Sequence, residues 1–364
     1  MFALRQTVDE CSEGRGKICC AENAVTMPAD MFPGMPLAAA QTPQLLGLAG
    51  DRALPTELGE GFEKKALRSE TVDQRKDLLP PAPQQPLLPP ELARRAQEEL
   101  NENPDTVHEE IEKLRSLVAD EKNLHIRTDD AFLLRFLRAR KFDVRKAFHM
   151  LQRYYVMKLR CPELFKVPRP SEKMHILEMQ AQNMLEDRDA LGRRVYVFRV
   201  DRCDAANVSI EDIFRTNVLA LEHIADEPET QVAGLAVVVD MSGFGLQHAR
   251  FLSPYYARRT VEVIQETFPL RFKGFHVINQ PFYFDAVFAV LKPFLKDKIR
   301  RRIYFHGADL GSLHAFVSPD ILPQEYGGKK PPFDNTAWRQ SLLDSEHKFV
   351  ELESYGYRLD DEAS

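Results

Sequence analysis

From about residue 190 the chain repeats one pattern four times: a short apolar run followed by an amphipathic stretch. The runs lie at 193–200, 234–241, 274–279 and 302–306, and the stretches at 210–224, 254–268, 282–296 and 309–316. A continuous apolar run bounded by polar residues suits a strand buried on both faces. A helix between two such strands supplies the crossover that parallel pairing requires. The expected fold class is therefore α/β, with a mostly parallel sheet covered by helices.

The preceding segment, 91–170, reads as all-helical. Helices are expected at 91–100 and 106–119, the second carrying Val107, Ile111, Leu114, Leu117 and Val118 at spacings of three and four. Thr106, with Glu109 three residues on, has the form of a capping box. A third helix, ending near Arg138, carries an apolar stripe of Phe132, Leu133, Phe136 and Leu137, with Arg135, Arg138 and Arg140 off that stripe. A fourth, at 143–159, turns Ala147, Met150, Leu151, Tyr154 and Tyr155 to a core. Residues 1–90 show no sustained period, and six prolines fall in the eleven positions from Pro80 to Pro90, so this part reads as a disordered tail ending in an extended linker. The organisation expected is tail (1–90), helical module (91–170), α/β domain (175–335) and acidic C-terminal tail (336–364).

Composition excludes several classes. A net charge of −6 offers nucleic acid no general attraction. The five cysteines (Cys11, Cys19, Cys20, Cys161 and Cys203) are odd in number and form no C-x-x-C, which fits reduced thiols in the cytoplasm. The first residues lack a basic-then-apolar secretory layout, and no run approaches the ~18 apolar residues of a membrane span, so membrane association is expected to be peripheral. G-x-x-x-x-G-K-[ST], G-x-G-x-x-G and H-E-x-x-H are all missing. Ser242 precedes Gly243 but has Asp240 two residues before it, so it is no nucleophile elbow, and no cysteine has an arginine six residues later. His306 and His314, flanking Asp309, are the least poor catalytic candidates and read more simply as structural histidines near a strand end. No catalytic residue, metal or cofactor is expected.

One segment stands apart. Arg271, Lys273, Lys292, Lys296, Lys298, Arg300, Arg301 and Arg302 face only Asp285 and Asp297 between positions 270 and 302. Between the basic groups runs a stretch with almost no polar side chain, from Phe282 and Phe284 through Phe288 and Leu291 to Leu295. A helix apolar nearly all round is either buried or hides surface it can release. Ending it in five cations suits an element that meets an anionic membrane, where each basic residue is worth ~1 kcal/mol, and arginine forks favour phosphorylated inositol headgroups.

These residues belong to a set of motifs that resembles the CRAL-TRIO family of lipid-binding proteins, nearest to its clavesin, α-tocopherol transfer and retinaldehyde-binding branches. The set comprises Glu99 to Asp105 (Glu-Leu-Asn-Glu-Asn-Pro-Asp), Arg127 to Phe142, Asn279-Gln-Pro281, Lys292 to Lys298 (Lys-Pro-Phe-Leu-Lys-Asp-Lys), His306-Gly307 and Leu322 to Gly328. The resemblance covers roughly residues 91–345 and implies a closed apolar pocket under a mobile gate helix. Its gate residues would be Phe282, Phe284, Phe288, Leu291 and Leu295, and its pocket walls Phe214, Asn217, Leu221, Leu235, Val263, Ile264 and Phe268. From the residues alone, those wall positions suit ordinary core equally well. The positions matching the family's phosphoinositide cleft are Arg140, Arg271, Lys273, Lys298 and Arg302, all basic. Where tocopherol-binding members carry two serines one turn apart, this chain has Asn217 and Leu221. Polar groups in such a pocket set specificity, so another long apolar molecule, retinoid- or phospholipid-like, is as well suited as tocopherol.

The function expected is a lipid-binding and transfer protein that catalyses nothing. Its partners would be a hydrophobic cargo and membranes carrying phosphatidylinositol bisphosphate, endosomal or other intracellular ones. The alternative is a phosphoinositide-binding trafficking adaptor that moves no lipid and whose tails bind trafficking proteins. A third reading, a lipid-modifying enzyme, would rest on His306.

Overall fold

The structure, a computed structural model, describes residues 88–358 except 205, 246 and 249–252. Residues 1–87, which hold Cys11, Cys19, Cys20 and all but the last residues of the expected tail, lie outside the described residues.

Helices α1 (Pro90–Leu100) and α2 (Val107–Ala119), the two-residue strand β1 (Leu124–His125), and helices α3 (Asp130–Ala139) and α4 (Val144–Arg160) form the helical module. Local chemistry sets their starts. Asp129 caps α3 by accepting from the Phe132 amide at 3.0 Å, and Asp143 caps α4 by accepting from Lys146 N at 3.0 Å. Thr106 departs from the expected capping box: its side chain makes no cap bond, and the Thr106 amide instead bonds the Asn103 carbonyl at 3.1 Å in the turn before the helix. Short helices α5 (Pro162–Phe165) and α6 (Met174–Leu177) lead into the domain.

The domain's sheet is built from β2 (Gln182–Met184), β3 (Arg194–Arg199), β4 (Leu235–Asp240), β5 (Phe272–Ile278) and β6 (Ile303–Gly307), in that order across the sheet. β3 to β6 pair in parallel as expected, while β2 adds an antiparallel edge. The crossovers carry α7 (Ile210–Ala225) and α8 (Pro228–Ala233), then α9 (Pro254–Glu262), then α10 (Phe284–Leu291) and α11 (Asp297–Arg300). α12 (Leu310–His314) follows β6. On one sheet face Val195, Val197, Val238 and Ile278 bury against Leu313, Val317, Leu322 and Tyr326. The opposite face carries Tyr196, Val237, Val239, Phe275 and Phe305 toward α7, α9 and α10.

Two expectations need correction, and one gains its partners. The arginines set off the α3 stripe turn to buried partners: Arg135 and Arg138 are 1% and 4% exposed. Arg135 pairs with Glu222 of α7 at 3.1 Å, and Arg138 reaches Glu102 at 2.7 Å and Gln231 at 2.8 Å, so α3 is buried all round between module and domain. The expected acidic tail is folded through residue 358: α13 (Thr336–Asp344), α14 (Glu346–Leu352) and β7 (Gly356–Tyr357) bury Trp338, Leu342, Phe349 and Leu352, and β7 pairs antiparallel with β1. Its acidic composition hides four apolar residues at helical spacing. The single helix expected at 282–296 breaks at Lys292, because Pro293 has no amide hydrogen to continue it.

Among the described residues no helix is long and apolar enough to cross a membrane.

Candidate functional site

A cavity of about 370 Å³ lies between the sheet and its covering helices. Val237, Val239, Phe275, Val277 and Phe305 form its floor; Ile213, Phe214, Asn217 and Leu221 of α7 form one wall. Phe284, Phe288 and Leu291 of α10, followed by Leu295 and Ile299, form the roof. Of the expected wall positions, Phe214, Asn217, Leu221, Val263 and Ile264 line the cavity, whereas Leu235 and Phe268 do not. Leu235 is fully buried at the start of β4, and Phe268 packs edge-on against Tyr154 at 5.7 Å in the seam with the module. For these two the resemblance to pocket walls does not hold, and the alternative reading, ordinary core, does.

The polar groups of the wall are already partnered. The Tyr196 hydroxyl lies 2.6 Å from both Gln182 Oε1 and Asn217 Oδ1 and donates its one proton to either, and Asn217 Nδ2 donates to the Ile213 carbonyl at 2.9 Å. Thr260 Oγ1 donates to the Tyr256 carbonyl at 2.9 Å, and Tyr256 to Glu211. A lining satisfied this way favours an apolar occupant, since little in it asks for a hydrogen bond.

The roof is held lightly. Phe284 is buried, against Phe305 at 5.9 Å and Phe244 at 6.3 Å, and Phe288 packs on Phe305 at 5.1 Å. The outer side of the same helix leaves Ala289 in water. Phe282 does not face the cavity at all: it stands 98% exposed just before the helix. A wholly exposed phenylalanine beside Pro281 is costly in water and well suited to an apolar phase.

One short element ties the roof to the rest. The helix expected at 254–268 stops at Glu262, and Val263–Thr267 continue as a single wide π turn, a geometry often found at functional sites. Val263 and Ile264 of this turn line the cavity. Gln265 clamps the backbone past the roof helix at two points, its Nε2 donating to the Phe294 carbonyl at 3.1 Å and its Oε1 accepting from Lys296 N at 2.7 Å. Glu266 pairs with Lys296 and with Arg153. Arg140 Nη2 donates to the Gln265 carbonyl at 3.2 Å.

Arg140 opens the second feature, a cluster of basic side chains beside the roof. Burial first, then the charges of Arg302, Lys141, Arg271 and Arg140, lower the pKa of the exposed Lys298 ammonium, so these five cations are near neighbours. Burial and then Arg271 bring Lys273 down to about 8. Of the expected positions, Lys298 is thus coupled to Arg302, Arg271 and Arg140, and Lys273 to Arg271. Arg302 also ties the cleft to the sheet, Nη1 donating to the Phe272 carbonyl at 2.5 Å. Sequence reasoning missed Lys141, a non-glycine residue at φ 55° directly after α3, and Glu99. Glu99 accepts from Arg271 at 2.6 Å, Lys273 at 3.2 Å and Arg95 at 2.8 Å. Burial alone would raise its pKa; these donors overcome that and hold the carboxyl at about 2.

The remaining candidates are structural. His306 Nδ1 lies 2.7 Å from Ser312 Oγ and its Nε2 lies 3.1 Å from His276 Nδ1; His314 Nε2 lies 2.8 Å from the Tyr326 carbonyl; Asp309 caps α12 by accepting from Ser312 N at 3.2 Å. Burial, then the neighbouring His306 and Arg193, press His276 down to about 4, leaving it neutral at physiological pH. Neither His306 nor His314 opens on the cavity.

Comparison with known proteins gives five results. Residues 178–328 match the family model described as the CRAL/TRIO domain, and residues 103–174 match one described as Pinta-like, UBA domain. The chain is 40% identical to Clavesin-2 of Homo sapiens over 263 residues, which is 71% of this chain and 80% of that protein. Against Clavesin-1 of Xenopus laevis it is 40% identical over 260 residues, 70% of this chain and 78% of that one. A crystal structure of Sfh5 superposes with a TM-score of 0.45 at 13% identity, covering 72% of this chain and 98% of that chain, a likeness too loose to carry an argument.

Proposed function

This chain belongs to the CRAL-TRIO family of lipid-binding and lipid-transfer proteins, close to the clavesins, and from that premise we propose that it is a membrane-docking carrier with a gated pocket. The cargo is a long apolar lipid held under α10. The anionic group that recruits the protein is a phosphoinositide headgroup, bisphosphorylated in the favoured case, bound by Arg140, Arg271, Lys273, Lys298 and Arg302 on endosomal or other intracellular membranes.

One observation carries this reading: an apolar cavity and a cluster of crowded cations share the π turn at Val263–Thr267. A headgroup phosphate competes for Arg140 and withdraws it from the Gln265 carbonyl, which loosens the clamp on the roof. The bilayer then takes up Phe282 and the apolar roof. Opening requires the membrane to favour the open form over the closed one, and burying roof area at about 25 cal/mol per Å² supplies that difference.

The test is charge reversal at Lys298 and Arg302 together. Affinity for phosphatidylcholine vesicles carrying phosphatidylinositol bisphosphate should fall on the order of a hundredfold, at ~1 kcal/mol per cation lost or inverted. Transfer of a fluorescent lipid between such vesicles should slow in step. Unchanged binding and transfer would sink the reading, whereas strong wild-type binding with no transfer of any lipid would favour the adaptor.

A further inference from the structure

Resting on the cleft reading above, we infer that Glu99 is a resident anion of the basic cleft, a built-in competitor that an incoming phosphate must displace and that sets how much negative charge a ligand needs. The carboxylate sits where a phosphate oxygen would. It bridges Arg271 at 2.6 Å and Lys273 at 3.2 Å through one oxygen while the other accepts from Arg95 at 2.8 Å.

Three features make it displaceable rather than structural. Its side chain is 38% exposed, against 12% for Arg271, so water reaches the anion more readily than the cation it covers. The neighbouring Ala96 and Leu100 are 1% and 0% exposed, so α1 stays docked when the carboxylate swings away. Arg95 is independently held, Nη1 donating to the Leu191 carbonyl at 2.8 Å, and can keep Glu99 as its own partner at the cleft rim. Arg271 likewise stays anchored by donating to the Val232 carbonyl.

The consequence is selectivity by charge. One carboxylate offsets about one cation, so a ligand of low charge exchanges like for like and gains little. A ligand with two phosphates spreads over Arg271, Lys273, Lys298, Lys141 and Arg302, and exceeds what Glu99 supplied. Neutralising Glu99 removes the same competing charge for either ligand, so it should tighten both by a similar factor and bring the weakly charged one into the range of detectable binding.

The experiment compares the full chain with Glu99→Gln on phosphatidylcholine vesicles bearing a monophosphorylated or a bisphosphorylated phosphoinositide, and with inorganic phosphate and a soluble inositol bisphosphate as free-anion arms. Glu99→Gln should bind both the monophosphorylated and the bisphosphorylated vesicles several-fold to about tenfold tighter. Glu99→Asp, which withdraws the charge by one methylene, should fall between. Gains confined to vesicles identify a headgroup at a surface; equal gains for the soluble anions identify the phosphate group itself. Equal or weaker binding by both variants, with thermal unfolding unchanged, overturns the inference while leaving the cleft intact. If neither wild type nor Glu99→Gln binds any of the probes, the cleft reading falls with it.

Discussion

Two groups of arginines lie close together in this molecule and do opposite things. At the seam between α3 and α7, Arg135 and Glu222 have side-chain exposures of 1% and 2%, and the guanidinium lies over the Phe132 ring at 4.1 Å. Tyr154 donates to Glu222, and Lys158 donates to Tyr154 at 2.6 Å, while Asp226 lies 3.6 Å from the same Arg135 as a second carboxylate, so the buried charges are matched within the seam. In the cleft the cations are at least as numerous, but Glu99 covers only part of them and is itself within reach of water. Both groups use the same ion-pair chemistry. Burial turns one into a fastener and incomplete neutralisation turns the other into a site.

Breaking the seam should have the largest effect. Glu222→Gln leaves the buried Arg135 with only the more distant Asp226, 3.6 Å away, and should cost about 3 kcal/mol of stability in a urea titration. Replacing both partners by apolar residues of similar size, Arg135→Met with Glu222→Leu, should recover most of that loss. If the single substitution costs under ~1 kcal/mol, the seam is no fastener and the contrast with the cleft collapses.

A smaller effect is expected at the joint between cavity and cleft. Gln265→Ala removes both clamp bonds on the roof at a net cost of about 1 kcal/mol each or less. Cargo release should quicken several-fold while the unfolding midpoint barely moves. An unaltered release rate would mean that the roof is held by Phe284 and Phe288 alone.

The smallest effect is one of pH. Lys273, lowered to about 8 by burial and by Arg271, is charged at pH 7 and largely neutral at pH 9, whereas Glu99, held at about 2, remains ionised throughout. Cleft positivity therefore falls as pH rises through about 8, and affinity for anionic vesicles should weaken over that interval. Lys273→Met should flatten the profile at low affinity. A profile equally steep in the variant would assign the titration to another group.

Much of this was legible in the sequence because the relevant signals are local. The alternation of apolar runs and amphipathic stretches gave the parallel strands, and the run of cations after an almost wholly apolar stretch pointed to roof and cleft. Features that depend on which surfaces meet were not legible. Arg135 and Arg138 could only be placed off the apolar stripe, because nothing local says that Glu222 and Glu102 come from elsewhere to receive them. Three-residue β2, whose Gln182 is buried to bond Thr216 at 2.7 Å, is too short and too polar to show alternation. Glu99 sat in a run used for its resemblance, and only the fold brings it to Arg271, 172 positions away.

The pairing of β1 with β7 sets a constraint in time. Leu124 and His125 emerge early in synthesis, but their partners Tyr357 and Gly356 come more than two hundred residues later, as does Ser354, whose carbonyl lies 3.3 Å from His125 Nδ1. At about 5–20 residues per second on the ribosome, the helical module waits on the order of ten seconds or longer for its last strand and for the cover given by Trp338 and Phe349. A chain cut short before residue 336 would hold every residue named for the pocket and the cleft and still display bare apolar surface. Such a fragment should be handed to chaperones or proteases rather than accumulate as a smaller working protein.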